Sequence, residues 1–169
     1  MSRYEDLCAA FARARRDYLD YVRDSSEFAT VLVDGLISYL EVPPIEVRYI
    51  PLTEEAKPNK NYTLFEAMHL ADEGFWKVGI VLLVYENPDP NIISPHETVL
   101  LPLLMKKVEE HFVVKLGSEG EEFNIHRDKP EEFEAFYEHV FHKIKESYEE
   151  GLQRYLEGGE GMERKIGFF

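Results

Sequence analysis

The apolar residues of this chain change their spacing twice along the sequence, and this change limits the folds that it can adopt. From Tyr4 to Tyr39 they recur every three or four positions, which is the spacing of one face of an α-helix. From Ile45 to His126 they alternate with polar residues or form short β-branched runs, as in strands. From Lys129 onward the helical spacing returns. This order predicts an α+β fold with helices at both ends and a sheet between them.

We expect two helices rather than one before Pro43-Pro44. The first apolar stripe runs through Tyr4, Leu7, Phe11, Ala14, Tyr18 and Tyr21. It resumes at Phe28 after Asp24-Ser25-Ser26-Glu27, where Asp24 and Glu27 have the spacing of a capping box that starts a new helix. The two prolines then end helical structure because neither can donate a backbone hydrogen bond.

The middle of the chain predicts a five- or six-stranded antiparallel sheet. Residues 62–71 are ambiguous, because Thr63 and Glu66 could cap a short helix, but the alternation of apolar residues favours a strand. Pro102 predicts an edge position or a bulge, because proline cannot donate to the ladder. The remaining predicted strands are Ile45–Leu52, Phe75–Tyr85, Thr98–Lys107, His111–Leu116 and Phe123–His126.

The last part of the chain predicts one long amphipathic helix that packs on the sheet. Asp128 and Glu131 fit its first cap, and Gly158-Gly159 fits its end. Its apolar side carries Phe133, Phe136, Tyr137, Val140, Ile144, Tyr148, Leu152 and Tyr155. We therefore predict a single domain over residues 1–157 and a flexible tail over residues 158–169.

This order of elements resembles that of helix-grip proteins, in which a curved sheet wraps a long last helix around a ligand cavity. The first strand of that pattern is missing here. The resemblance implies a small hydrophobic ligand carrier, with a cavity between the sheet and the last helix. Its candidate lining residues are Phe75, Trp76, Phe136 and Val140.

The charge of the chain narrows the classes of partner. The chain has 19 Lys and Arg residues against 33 Asp and Glu residues, a formal net charge of -14. Residues 109–163 alone carry 16 acids and 6 bases, which is a net charge of 6 - 16 = -10. Such a surface repels nucleic-acid phosphates and anionic lipids, and it attracts basic proteins. We expect neither nucleic-acid nor membrane binding.

The single cysteine, Cys8, excludes a disulfide within one chain and favours a reducing, cytoplasmic location. Neither a secretory signal nor an apolar run long enough to span a membrane is expected, because charges interrupt the first residues and every later apolar run. Cys8 lies between Leu7 and Ala9, which predicts a small core or boundary residue rather than a nucleophile.

No sequence pattern requires catalysis, so we predict neither catalytic residues nor a cofactor. The chain has no Gly-x-Ser-x-Gly elbow and no phosphate-binding loop. Glu138, His139 and His142 are weak metal candidates, because the histidines are three residues apart instead of the four of metalloprotease helices. We expect both histidines to face solvent. Glu66 and His69 have the Glu-x-x-His form of a di-metal site, but the second copy that such a site needs is missing.

These observations predict a non-catalytic interaction protein: an adaptor, chaperone or inhibitor of a basic partner. The candidate contact residues are acids of the last helix: Glu131, Glu132, Glu138, Glu146, Glu149 and Glu150. The hydrophobic ligand carrier is the alternative, and a metal-dependent hydrolase is the weakest hypothesis. The stripe from Tyr4 to Phe28 also has the heptad spacing of a helical dimer seam. Core packing within one chain explains the same pattern more economically, but a homodimer is our expectation.

Overall fold

The computed structural model describes residues 2–53, 55–57 and 59–156, with side chains omitted at 152, 154 and 155. The predicted α+β fold is confirmed. The predicted domain limit at 157 and the tail over 158–169 fall outside the described residues. The elements are α1 (Arg3–Leu40), β1 (Val47–Ile50), α2 (Leu64–Ala67), β2 (His69–Leu70), β3 (Trp76–Tyr85), β4 (His96–Val108), β5 (His111–Leu116), β6 (Phe123–Ile125), α3 (Pro130–Glu149) and α4 (Gly151–Leu156).

The strands form one antiparallel sheet in the order β1-β3-β4-β5-β6, and β2 pairs with β3 beyond the end of β1. The longest ladder joins β3 to β4, from Trp76 opposite Met105 to Tyr85 opposite His96. Pro102 lies in a central strand, yet β5 ends at Leu116 and only the amide of Gly117 reaches the Pro102 carbonyl, at 2.7 Å. The missing N–H of Pro102 therefore faces the point where the neighbouring strand has ended.

One face of the sheet packs against the second half of α1 and against α3, as predicted for the last helix. Alternate strand residues such as Val78, Ile80 and Leu101 meet Phe28 and Phe136 in one buried cluster. The Tyr137 hydroxyl joins the two helices by donating to the Leu32 carbonyl at 2.9 Å. Burial raises the pKa of Tyr137 to about 12, with Asp34 adding to the effect, so this hydroxyl remains a donor.

The prediction of two N-terminal helices is wrong, because α1 is one continuous helix of 38 residues. Asp24 does not cap a new helix. Its carboxylate instead pairs with Lys107 and Arg127, and Ser25 is buried within the helix. Residues 24–27 include neither proline nor glycine, so polar side chains interrupt the stripe without interrupting the backbone.

The preferred strand over 62–71 is also wrong for most of its length. Thr63 and Glu66 form a reciprocal capping box, each side chain bonded to the backbone amide of the other at 3.2 Å. The resulting turn, α2, places Ala67 in the core, and only His69 and Leu70 pair with β3.

Several predicted element boundaries also shift. The single long helix predicted from Lys129 onward is divided, because α3 ends at Glu149 and α4 begins at Gly151. A 3-10 turn over Pro44–Glu46 delays the start of β1 to Val47. The cap position of α3 is Lys129 rather than Asp128, and the Lys129 side chain makes no capping bond.

Candidate functional site

The first half of α1 extends away from the body of the protein. Ser2 and Glu5 cap the helix reciprocally, at 3.1 and 2.7 Å. Every residue from 2 to 20 is exposed except the half-buried Ala9, whereas buried residues begin at Ser25. We call residues 3–20 the arm. At 1.5 Å per residue it is about 27 Å long.

The arm carries an apolar stripe that nothing in the described part of the chain covers. Tyr4 is 76% exposed, Leu7 and Phe11 are each 68% exposed, and Tyr18 is 55% exposed. With Ala14 between them, these five residues form the arm stripe. Core packing within one chain does not explain this part of the pattern. Contiguous exposed apolar residues of this size mark interaction sites in soluble proteins.

The arm joins the rest of the protein at a junction formed by Tyr21, Asp24, Trp76, Lys107 and Arg127. The Tyr21 ring lies 6.2 Å from the Trp76 ring. Beside it, Asp24 bonds to Lys107, and Arg127 donates from one nitrogen to the Asp24 carboxylate at 2.6 Å and to its carbonyl at 2.7 Å. These cations, Lys107 first, lower the pKa of Asp24 against the opposing effect of burial. The junction therefore sets the direction in which the arm projects.

The charges of the arm differ from those of the rest of the chain. The arm is neutral, with four arginines and four acids, in a chain of net charge -14. The arginines are Arg3, Arg13, Arg15 and Arg16, and the acids are Glu5, Asp6, Asp17 and Asp20. All the excess negative charge therefore belongs to the rest of the chain.

The predicted acidic contact residues lie on the outer side of α3. Glu132 is half-buried. The other five are exposed: Glu131, Glu138, Glu146, Glu149 and Glu150. Glu132 accepts hydrogen bonds from the His126 backbone amide and ring, both at 2.9 Å. These bonds lower the pKa of Glu132, and they hold its carboxylate against His126 within the protein. The outer side of α3 therefore presents a row of carboxylates to solvent.

The weak metal candidates do not converge. His142 lies 3.5 Å from Glu138, whereas His139 lies 3.8 Å from a different acid, Glu121. The side chain of His142 is 57% exposed, as expected, but that of His139 is only 17% exposed and packs on Phe123. Burial is the main cause that lowers the pKa of His139. Within the described ranges, no three His, Cys, Asp or Glu side chains are grouped to hold a metal.

The candidate pocket residues are divided between the two faces of the sheet. Trp76, Phe136 and Val140 belong to the buried core cluster. Phe75 lies on the opposite face, where the ammonium groups of Lys106 and Lys115 stand 5.6 and 4.6 Å from its ring centre. The four side chains therefore do not line one space. Cys8 is exposed on the arm, so its prediction as a core or boundary residue is wrong.

The structure reveals two features that the sequence reasoning missed. An open cleft of about 290 Å³ beside β1 is lined by Arg48, Lys57, Lys60, Tyr62 and other residues. In addition, the sheet face opposite the helices carries Arg48, Lys77, Lys106 and Lys115, and no acidic residue lies on this face among the strands that the structure describes. The alternate positions of the predicted strands already contained these cations. The negative net charge of the chain gave no indication that these cations share one face.

None of the helices in the described ranges is long and apolar enough to cross a lipid bilayer.

No protein-family model, curated protein or solved structure matches this chain.

Proposed function

We propose that this protein is a non-catalytic interaction module that associates with protein partners through its arm. The arm stripe carries this proposal, because four large apolar side chains are more than half exposed on a helix outside the body. Covering one such side chain contributes about 1.5 to 3 kcal/mol when burial is complete. A protein partner is the natural source of that cover.

The acidic side of α3 supports a second contact, with a basic partner. Its five exposed carboxylates lie within one helix and its C-cap. Such a row attracts a cationic surface and raises the rate of encounter. This arrangement suits an adaptor, a chaperone or an inhibitor, and the single cysteine supports a cytoplasmic location.

Neither rival function gains support from the site. The candidate pocket residues of the carrier lie on two faces of the sheet. The candidate ligands of the hydrolase pair with separate carboxylates. We therefore do not propose either of them.

The experiment is affinity purification of the tagged full-length chain from its native host. We expect the wild type to retain a stoichiometric protein, and we expect Leu7→Ser/Phe11→Ser to lose it. The matched control is Ala9→Ser/Ala12→Ser, on the arm but off the stripe, which should retain it. Recovery of the tagged chain with neither another protein nor an untagged copy of itself, or equal retention by the stripe variant, would contradict the proposal.

The acidic contact has its own variant. Replacement of Glu138, Glu146 and Glu149 by Gln should weaken the retention of a basic protein and reduce its dependence on salt. Unchanged salt dependence would exclude α3 from the contact while leaving the role of the arm intact.

A further inference from the structure

We infer that the partner of the arm is the arm of a second copy of this chain, and that the two helices run antiparallel. This inference rests on the proposed function and specifies its partner. It is drawn from the spacing of the stripe, the distribution of charge and the sizes of the exposed side chains.

The spacing of the stripe is that of a two-helix seam. Tyr4, Leu7, Phe11, Ala14, Tyr18 and Tyr21 are separated alternately by three and four residues. This is the repeat of a and d positions in a coiled coil, in which each side chain fits between residues of the facing helix. A second helix of the same kind therefore covers the whole length of the arm.

The distribution of charge decides the direction of pairing. Because the arm is neutral, the rest of each chain carries the full charge of -14. In a parallel pair of arms, the two negatively charged bodies would lie side by side at the same end of the helices. They would then repel each other, because electrostatic repulsion in salt solution acts over about 10 Å. Antiparallel arms place them at opposite ends of a helix pair about 27 Å long.

Charges within the arm favour the same direction. Its first part, with Arg3, Glu5 and Asp6, has a net charge of 1 - 2 = -1. Its second part has three arginines and two acids between residues 13 and 20, a net charge of 3 - 2 = +1. Antiparallel pairing brings opposite charges together, whereas parallel pairing brings like charges together.

The side-chain sizes select one register. With Phe11 against the partner's Ala14, the smallest member of the stripe faces a large one. The same register sets Leu7 against the partner's Tyr18 and Tyr4 against the partner's Tyr21. Each tip then reaches the junction of the other copy, where Tyr21 is half-buried. The pair covers on the order of 1,000 Å², which reaches the lower limit for a specific interface.

The first test is the oligomeric state of the purified full-length protein, by sedimentation equilibrium from about 1 to about 100 µM. We expect a dimer, and we expect Leu7→Ser/Phe11→Ser to raise its dissociation constant by more than about a hundredfold. The control Ala9→Ser/Ala12→Ser should remain dimeric. Fluorescence of Trp76, the single tryptophan and a buried core residue, should be the same for all three, because the changed residues lie outside the core.

The second test is disulfide trapping in a Cys8→Ser background. In antiparallel arms, Leu7→Cys in one copy faces Tyr18→Cys in the other, while two Leu7→Cys residues lie about 16 Å apart along the pair. We expect a disulfide only when the two variants are mixed. A disulfide formed by Leu7→Cys alone would show parallel arms and overturn the inferred direction.

The outcomes separate this inference from the proposed function. A purified chain that is monomeric at all concentrations overturns the inference. If that monomer still retains a different protein through the stripe, the proposed function stands and its partner is that protein. If no protein is retained either, both fail.

Discussion

At the scale of single residues, the role of a side chain depends on partners that are distant in sequence. Asp24 shows this most clearly. Its local pattern with Glu27 indicates a helix cap, yet its partners are Lys107 and Arg127, which are 83 and 103 residues away. No local pattern could reveal those partners, because the fold alone brings them to the base of the arm.

We expect Asp24→Asn to lower the free energy of unfolding by about 1 to 3 kcal/mol at neutral pH, because it weakens two charge-assisted hydrogen bonds. The control is Asp20→Asn, which removes only an exposed pair with Arg23 and should change stability by less than about 0.5 kcal/mol. Urea unfolding measures both.

The pH dependence gives the sign of the Asp24 contribution. Because the folded-state pKa of Asp24 lies below the ordinary 3.8, its stabilisation is present above that value and is lost as the pH falls through the folded-state pKa. The difference between wild type and Asp24→Asn should therefore disappear in acid. A difference that persists unchanged at low pH would show that the charge is not responsible.

Gly35 lies where α1 meets α3, and its missing side chain makes room for Tyr137. A Cβ atom at Gly35 would lie 2.1 Å from the Tyr137 hydroxyl oxygen and 2.9 Å from the ring carbon that bears it. Alanine normally stabilises a helix relative to glycine by about 1 kcal/mol. Here the sign should reverse.

We expect Gly35→Ala to destabilise the protein by about 1 to 3 kcal/mol, because the Tyr137 ring must move and its bond to Leu32 must stretch. Chemical unfolding checks the value. Ser38→Ala, at an exposed site on the same helix, should be neutral or slightly stabilising. A stabilised Gly35→Ala would show that the two helices do not meet as closely as described.

At the scale of elements, α1 is one helix in two environments. Residues 25–36 contribute six buried side chains, five of them to the apolar core, whereas no residue within the described ranges covers the arm stripe. In proteins, most helical stability comes from the packing of an amphipathic face rather than from helix propensity. The order of the arm therefore depends on what covers its stripe.

Hydrogen exchange tests this division. In dilute solution we expect amides of the arm to exchange at least about tenfold faster than those of residues 28–37, because the arm opens without disturbing the core. At high concentration, formation of the pair should slow exchange in the arm and leave the core amides unchanged. Equal protection of both halves in dilute solution would contradict this description.

The sheet shows a related effect of position. Alternate residues in the middle of β3 and β4 face the helices and are apolar, while the opposite face presents Lys106 and Lys115 around Phe75. Net charge describes the whole chain, whereas a binding partner contacts only one face of the molecule. A negative chain can therefore carry a basic face.

At the scale of the whole molecule, the fold separates the exposed arm from the body. The core lies between one sheet face, the second half of α1 and α3. An antiparallel pair of arms would hold two acidic bodies at opposite ends, each with its α3 row exposed. Such a dimer could engage two basic sites at once, which strengthens binding through effective concentration.

Removal of residues 1–20 should leave this body folded. Buried residues begin only at Ser25, and Tyr21 with its contact to Trp76 is retained. We expect the free energy of unfolding of the shortened chain to match that of the dissociated full-length chain within about 1 kcal/mol, with self-association lost. Near-ultraviolet circular dichroism and sedimentation measure these results. Loss of cooperative unfolding would show that the arm belongs to the core.

The sequence alone determined the α+β class, the five strands β1, β3, β4, β5 and β6, and the packing of α3 on the sheet. These were readable because β3, β4, β5 and α3 each repeat their apolar residues with the period of the element that buries them. The wrong predictions of secondary structure occur where the local sequence was compatible with two different structures. Thr63 and Glu66 could be part of a strand or cap a turn, and residues 24–27 could interrupt a helix or continue it.

Only the tertiary structure decided what covers each apolar stripe. The stripe of α1 has the same residue types before and after Tyr21. Its pattern therefore predicts that the stripe packs against another surface, but it does not indicate which surface that is. One sheet face has limited area, and the second half of α1 and α3 already occupy it. The arm is therefore left outside the core, because the space that could bury it is already filled.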